Sequence, residues 1–329
     1  MSVSVVLCTY NGARFLRPQL DSLLGQTLLP DEIIVQDDGS TDETATIVEE
    51  YRQRCEADSE RSIAIRFFKN EGPHGVNANF FSALHRAQSE FIAICDQDDI
   101  WVPEKLEHQM ANIGDNLLIG GLSVPFSEEA ATPVDADTRL PNIDLLRMMF
   151  VGMMPGHTQL LRRELLDLLP KCQWFMYDLQ TQALAAALEK VTYLPEIVVH
   201  QRRHQEAATY VAPRSRKRNV TNAIKTVMST LTLYHKARPH IVHRFQEWTR
   251  FFDQLPSTTP SLCRARTMAR LLSGNGVINY LRLTAFCYRN RLRLFHTVER
   301  DSVVTKLRAL YFPIFCSTYY RYLVERDAH

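Results

Sequence analysis

The first hundred residues alternate between two hydrophobic patterns. Residues 3–8 (VSVVLC), 32–36 (EIIVQ) and 90–95 (EFIAIC) are short, nearly continuous apolar and β-branched runs, as strands buried on both faces read. Residues 62–68 supply a fourth such run. Between them, apolar residues return every three or four positions, as in Phe15, Leu16, Leu20, Leu23 and Leu24, which predicts helices packed on a sheet. Further helices are expected over 43–55, where Ser40 and Glu43 read as a capping box, and over 79–87 and 103–113. Alternation of this kind implies right-handed βαβ units and a mainly parallel sheet with helices on both faces. Ligands bind such sheets beyond the carboxyl ends of the strands, and the polar clusters fall there. They are Thr9-Tyr10-Asn11, Asp37-Asp38, Lys69-Asn70 and Asp96-Gln97-Asp98, one after each strand.

The pattern is less regular afterwards. Residues 127–142 are acidic, contain Pro and lack periodicity, so a surface loop is expected. Helices over 143–150, 163–169 and 178–188 and strands over 157–161 and 191–200 follow. Beyond Pro213 the texture becomes a succession of amphipathic helices, broken at Gly274-Asn275-Gly276. A boundary near 212 therefore divides an α/β part, 1–212, from a mainly helical part, 213–329.

Charge sharpens this division. Residues 1–199 carry 15 Lys+Arg against 30 Asp+Glu, and residues 200–329 carry 23 against 7, although the whole chain has a net charge of only +1. So basic a segment faces an anionic surface or neutralises the acidic part across an interface. Arg is interleaved with Leu and aromatics from Tyr280 to Phe312, which suits a basic amphipathic surface on a membrane or a packed helical subdomain. No nucleic-acid recognition module is present. The seven cysteines are dispersed without CxxC spacing and read as reduced core thiols. The start of the chain lacks a basic leader, and no apolar run reaches ~18 residues, so a cytoplasmic protein is expected, peripheral on a membrane at most. A nicotinamide dehydrogenase is excluded because no GxGxxG follows the first strand.

Asp96 and Asp98 close a buried strand two residues apart, where both can turn toward one hard cation completed by diphosphate oxygens. The blocks Cys8-Thr9-Tyr10-Asn11-Gly12, Asp31 to Asp42 (DEIIVQDDGSTD) and Asp96 to Trp101 (DQDDIW) together resemble the family 2 nucleotide-sugar glycosyltransferases of GT-A fold. The resemblance covers roughly residues 3–210. It implies a Rossmann-like, mainly parallel mixed sheet with flanking helices, followed here by a C-terminal α-helical subdomain. The DQDDxW block is most similar to a bacterial, rhamnosyltransferase-like branch that builds surface polysaccharides.

Read through the resemblance, Thr9, Tyr10, Asn11, Asp38, Asn79 and Asp96 contact the nucleotide donor, and Asp38 holds the edge of a pyrimidine. Asp96, Asp98 and His204 hold Mn²⁺ or Mg²⁺, and Asp178 is the base that deprotonates the acceptor. His157, within Pro155-Gly156-His157-Thr158, stands near sugar or acceptor. Simpler roles also fit some of these residues: a cap for Asn79 and Asp178, a surface histidine for His204. Gln201 also stands where the branch carries an aromatic. The implied activity is inverting transfer from a dTDP- or UDP-linked sugar to a lipid-linked saccharide. A fold relative that binds nucleotide without catalysis is the competing class; retention of Asp96, Asp98 and Asp178 counts against it.

Overall fold

A computed structural model describes residues 1–58, 63–127, 139–170, 175–204, 220–256 and 258–327, with the backbone alone over 220–229. Most of the loop expected at 127–142 and the boundary at 212 lie outside the described residues. In the first part, β1 (Val3–Thr9), α1 (Ala13–Leu24), β2 (Glu32–Asp37), α2 (Thr44–Ala57), β3 (Ala64–Lys69), α3 (Val76–Leu84) and β4 (Phe91–Cys95) follow the predicted alternation. Next come β5 (Ile100–Trp101), α4 (Lys105–Asn112), β6 (Leu118–Phe126), α5 (Leu145–Met148), β7 (Leu160–Arg162), α6 (Glu164–Asp167), α7 (Tyr177–Ala187) and β8 (Val191–Arg202). The remainder is helical: α8 (Val220–Asp253), α9 (Pro260–Ser273), α10 (Val277–Arg289), α11 (Val303–Phe315) and α12 (Arg321–Arg326).

The strands form one eight-stranded mixed sheet in the order β3-β2-β1-β4-β7-β6-β8-β5. Its first four strands are parallel, and β1 lies between β2 and β4. Strand connectivity reverses at β1, which opens a crevice at its carboxyl end. The apolar runs are continuous because each strand feeds two cores. Val3, Val5 and Leu7 point into one, with Leu16, Leu20 and Ile47. Val6 and Cys8 point into the other, with Phe80, Leu146 and Phe245.

Two later pairings carry the function-bearing turns. β7 runs antiparallel to β4, pairing Ala93 with Leu160, and Ile94 N–H donates to Gln159 O at 3.1 Å. The turn just before β7, Gly156–Thr158, is thereby laid beside the end of β4. The short β5 pairs with β8 through Ile100–His200 and Trp101–Val199, which folds the 96–99 turn against the end of β8.

The predicted capping box at Ser40 does not form. The N-cap of α2 is Glu43 and its side chain makes no capping bond. Asp42 instead accepts from Thr44 N at 3.0 Å and from Ala13 N at 2.9 Å. Ser40 is drawn away by Asp37, to which its hydroxyl donates. Residues 157–161 are likewise not all strand: Gly156–Thr158 is a 3-10 turn and β7 starts at Leu160.

The C-terminal helices pack against α5, α7 and the segment before α7, with aromatics at the contact. Trp248 of α8 is fully buried, stacks on Phe175 with centroids 4.0 Å apart and donates its indole N–H to Met149 O at 2.9 Å. Phe295 and Phe312 are buried in the same core, so these two rings take no part in a surface, while the half-buried Phe286 packs against that core. Of the arginines expected on that surface, Arg293 pairs with Asp144 at 2.6 Å and Arg291 with Asp301 at 2.5 Å. Among the described residues no helix is long and apolar enough to cross a membrane.

Trp248→Ala removes the stacked ring and leaves the Met149 carbonyl unpartnered. A loss of about 3–5 kcal/mol is expected, measured by urea unfolding. A change under ~1 kcal/mol would mean that α8 is not held through this ring.

Candidate active site

On the β1–β2 side of the crevice, adjacent aspartates divide two tasks. Asp37 is buried and organises the turn: its carboxylate accepts from Thr9 Oγ1 at 3.0 Å, Ser40 N at 2.8 Å and Gly39 N at 3.2 Å. Asp38 reaches across to the segment after β3. Its Oδ1 accepts from Asn70 Nδ2 at 2.6 Å and meets His74 Nδ1 at 2.9 Å, and its Oδ2 accepts from Gly75 N at 2.7 Å. Burial opposes its ionisation, but the bonds from Asn70, Gly75 and His74 outweigh burial and hold its carboxyl below the usual range. One acceptor position on Oδ2 stays open to a donor from a ligand.

Thr9 is turned inward onto Asp37, whereas the Tyr10 ring projects into solvent at 58% exposure. Asn11 takes a positive φ of 46°, which Asn tolerates better than most residues, and its Oδ1 accepts from Thr41 N at 2.9 Å. Asn79 is not the cap of α3, a position that Gly75 takes. It is buried in α3 and donates to Gln36 O at 3.0 Å, with its own Oδ1 lacking a hydrogen-bond partner.

Gln97 joins this side to the acidic turn. Its Oε1 accepts from Tyr10 N at 2.9 Å and its Nε2 donates to Tyr10 O at 3.1 Å, a two-point clamp on the backbone that carries the projecting ring. The clamp needs Gly12, where a Cβ would lie 2.2 Å from Gln97 Oε1.

The acidic turn itself gathers three carboxylates. Asp96 Oδ2 lies 3.0 Å from His157 Nδ1, and Asp99 Oδ2 lies 3.2 Å from the same nitrogen. The other ring nitrogen, Nε2, meets Ser123 Oγ at 2.9 Å. Asp98 Oδ2 meets His204 Nε2 at 2.7 Å, while Asp99 Oδ1 accepts from Arg202 N at 3.0 Å. Arg202 Nε also donates to Asp98 O at 2.9 Å. The ligand atoms of Asp96, Asp99 and His157 lie within 4.8 Å of one another. The structure thus puts Asp96 with Asp99 and His157, and gives Asp98 and His204 to each other beside them.

Electrostatics reflect the crowding. Burial, then the charge of Asp96, push the Asp98 carboxyl upward against the opposing His204. Asp99 is raised further, chiefly by burial, with Asp96 and Asp98 adding to it and His157 opposing. Burial alone would lower the His157 imidazole, yet Asp96 and Asp99 hold it above its ordinary value. Asp99 Oδ2 has no hydrogen-bond partner beyond this ion pair with His157, and the buried His204 Nδ1 has no hydrogen-bond partner.

Asp178 sits in the first turn of α7. Its Oδ1 accepts from Leu179 N at 2.8 Å, and its backbone carbonyl is gripped by Gln159 Nε2 at 3.0 Å and Gln182 Nε2 at 2.8 Å. Burial raises its carboxyl to about 6; Asp96 adds to this, while Leu179 N–H and His157 oppose it. It therefore lies within the field of the acidic turn. Gly156 lets the helix approach, since a Cβ there would lie 2.3 Å from Tyr177 Oη.

The residues alone assigned no individual role to Asp99, Gln97, Arg202 or His74, and placed Asn70 only among the polar groups at the strand ends. Asp99 and Gln97 lay inside the quoted DQDDIW block, so their neighbours signalled them. Nothing local signalled His74, whose contact with Asp38 is made across strands.

A protein-family model for glycosyl transferase family 2 matches residues 4–169, half of the chain. Uncharacterised glycosyltransferases of Rickettsia typhi and a Nostoc species are 34% and 36% identical to it over 108 residues each, about a third of this chain and 30% and 31% of theirs. The matched segment thus spans less than a third of either relative. In structure, Staphylococcus aureus TarS 1–349 with UDP is similar over 100% of this chain and 92% of its own, with a TM-score of 0.52 at 17% identity. A mannosyltransferase of Pyrobaculum calidifontis with GDP-Man and Mn²⁺ is similar over 97% and 86%, with a TM-score of 0.50 at 15% identity. The sheet order and the matched segment, which holds both aspartate-rich turns, lead to one conclusion: the chain belongs to glycosyl transferase family 2.

Proposed function

We propose that this protein is an inverting, divalent-cation-dependent glycosyltransferase using a nucleoside diphosphate sugar. The observation that carries the reading is the crevice at β1, bounded by Asp38, by the acidic turn Asp96–Asp99 and by Asp178, whose carboxyl is raised to about 6. The donor set fits a hard cation: it gathers the three carboxylates of Asp96, Asp98 and Asp99, and Asp99 Oδ2 has the His157 imidazole beside it but no hydrogen-bond donor. Asp96, with Asp98 or Asp99, would hold Mn²⁺ or Mg²⁺, and His157 and His204 orient those carboxylates. Such an ion neutralises the departing diphosphate. The structural relatives support this reading, since one is described with UDP and another with GDP-Man and Mn²⁺.

The residues divide the work as follows. Asp38 offers its open acceptor to the N3–H of uracil or thymine, and Tyr10, fixed by Gln97, lines the base. The Asp178 carboxylate takes the proton of the acceptor hydroxyl while that oxygen bonds to the anomeric carbon. The bond from this carbon to the diphosphate oxygen breaks, and its electron pair leaves with the nucleotide. Displacement from the opposite face inverts the anomeric centre. The donors we infer are dTDP-rhamnose or a UDP-hexose or UDP-N-acetylhexosamine. The acceptor is a hydroxyl of a lipid-carried bacterial surface polysaccharide such as O-antigen or capsule.

Nucleotide release from a panel of UDP-, dTDP- and GDP-sugars tests the donor assignment. Pyrimidine donors are expected to turn over faster, and a preference for GDP-sugars would remove Asp38 as base reader. Proton NMR of the first product formed should show an anomeric configuration opposite to that of the donor; retention would exclude a single displacement.

Asp178→Asn keeps the Leu179 contact but cannot accept a proton. The rate should fall roughly 10²–10⁴-fold with donor affinity preserved. Because the carboxylate is the active form, wild-type kcat/KM should decline as pH falls through about 6, and a bound cation that offsets Asp96 moves this limb lower. A variant within a few-fold of wild type, with the limb intact, would transfer the role to another group.

A further inference from the structure

One face of the C-terminal helices is apolar on the outside as well as the inside. In α10, Leu283 and Cys287 are buried. On its opposite side Val277, Ile278, Leu281 and Tyr288 form a stripe at helical spacing, with Val277 76%, Ile278 70% and Leu281 61% exposed. The neighbouring α11 repeats this with Val303, Leu307 and Leu310, the first two 72% and 61% exposed. The two stripes meet, because Leu281, Ala285, Tyr288 and Leu310 line a single groove. Scattered exposed leucines are ordinary, but a contiguous aliphatic ridge on two packed helices marks an interaction surface.

Charge identifies what the ridge meets. Neither helix contains an acidic residue. The acids just before α11 are neutralised: Glu299 pairs with Arg308, and Asp301 with Arg291. Arg282 and Arg289 flank the α10 stripe, are exposed and pair with no acidic side chain among the described residues. Aliphatic residues bordered by uncompensated guanidinium groups match an anionic leaflet, whose acyl boundary takes the former and whose phosphates take the latter. A two-fold contact with a second copy through this face would bring the same arginines together. We propose that the α10–α11 face docks this protein on an anionic phospholipid bilayer. The proposal rests on this surface alone and is independent of the transfer chemistry.

Flotation of the full chain with phosphatidylglycerol–phosphatidylcholine vesicles, against pure phosphatidylcholine, tests it without any substrate. The protein is expected to float with the anionic vesicles, less so as salt rises. Leu281→Asp with Leu307→Asp should remain unbound while keeping the wild-type melting temperature. Arg282→Glu with Arg289→Glu, on exposed positions, should weaken binding by about tenfold or more. Failure of the wild type to float at low salt overturns the proposal, as does equal flotation with neutral vesicles or by the Arg variant. A dimer that the Leu variant dissolves, in a protein that ignores vesicles, assigns the face to a second copy instead.

Discussion

Three carboxylates within four residues, Asp96, Asp98 and Asp99, repel one another at the end of a buried strand, and the surrounding structure is arranged to contain that repulsion. Each is met by a group from a different part of the chain: His157 from the turn before β7, His204 from beyond β8 and the Arg202 amide from its last residue. Those groups arrive only because β7 runs antiparallel to β4 and β5 pairs with β8. Charge compensation in the protein is incomplete, since burial and the charge of Asp96 still push Asp98 and Asp99 upward, with Asp98 adding to the effect on Asp99. A cation would complete it.

The same turn governs the nucleotide side. Gln97 sits between Asp96 and Asp98, so any movement of the acidic turn moves the backbone of Tyr10 through two hydrogen bonds. Asp37 fixes the opposite wall with its acceptors on Thr9, Gly39 and Ser40, while Asp38 reaches across to Asn70, His74 and Gly75. Two adjacent aspartates thus act differently because one closes a turn and the other spans two strands.

How much of this was readable from the residues follows the range of the interactions. β1, β2 and β4 were legible because burial on both faces writes an uninterrupted apolar run, and the positions of Asp38, Asp96 and Asp178 followed from blocks of neighbouring residues. The partnership of Asp96 with His157 was not, since 61 positions separate them and the antiparallel β4–β7 pairing leaves no local periodicity. The Ser40 cap failed for a related reason: its spacing to Glu43 was right, but Asp37 competes for the same hydroxyl. The stretch holding Phe295 and Phe312 fitted a membrane surface and a packed subdomain alike because α11 and its approach are apolar on two sides, and periodicity cannot say which side is covered.

The proposed chemistry requires the turn Asp96–Asp99 to be a cation site completed by the donor diphosphate. Electron paramagnetic resonance of Mn²⁺ titrated into the full chain with UDP reads it directly. The signal of free aqueous Mn²⁺ should be suppressed until one ion per chain is bound, and Asp96→Asn should restore it from the first addition. A free-ion signal undiminished by the wild-type protein with UDP, or suppressed equally by the variant, would contradict the claim.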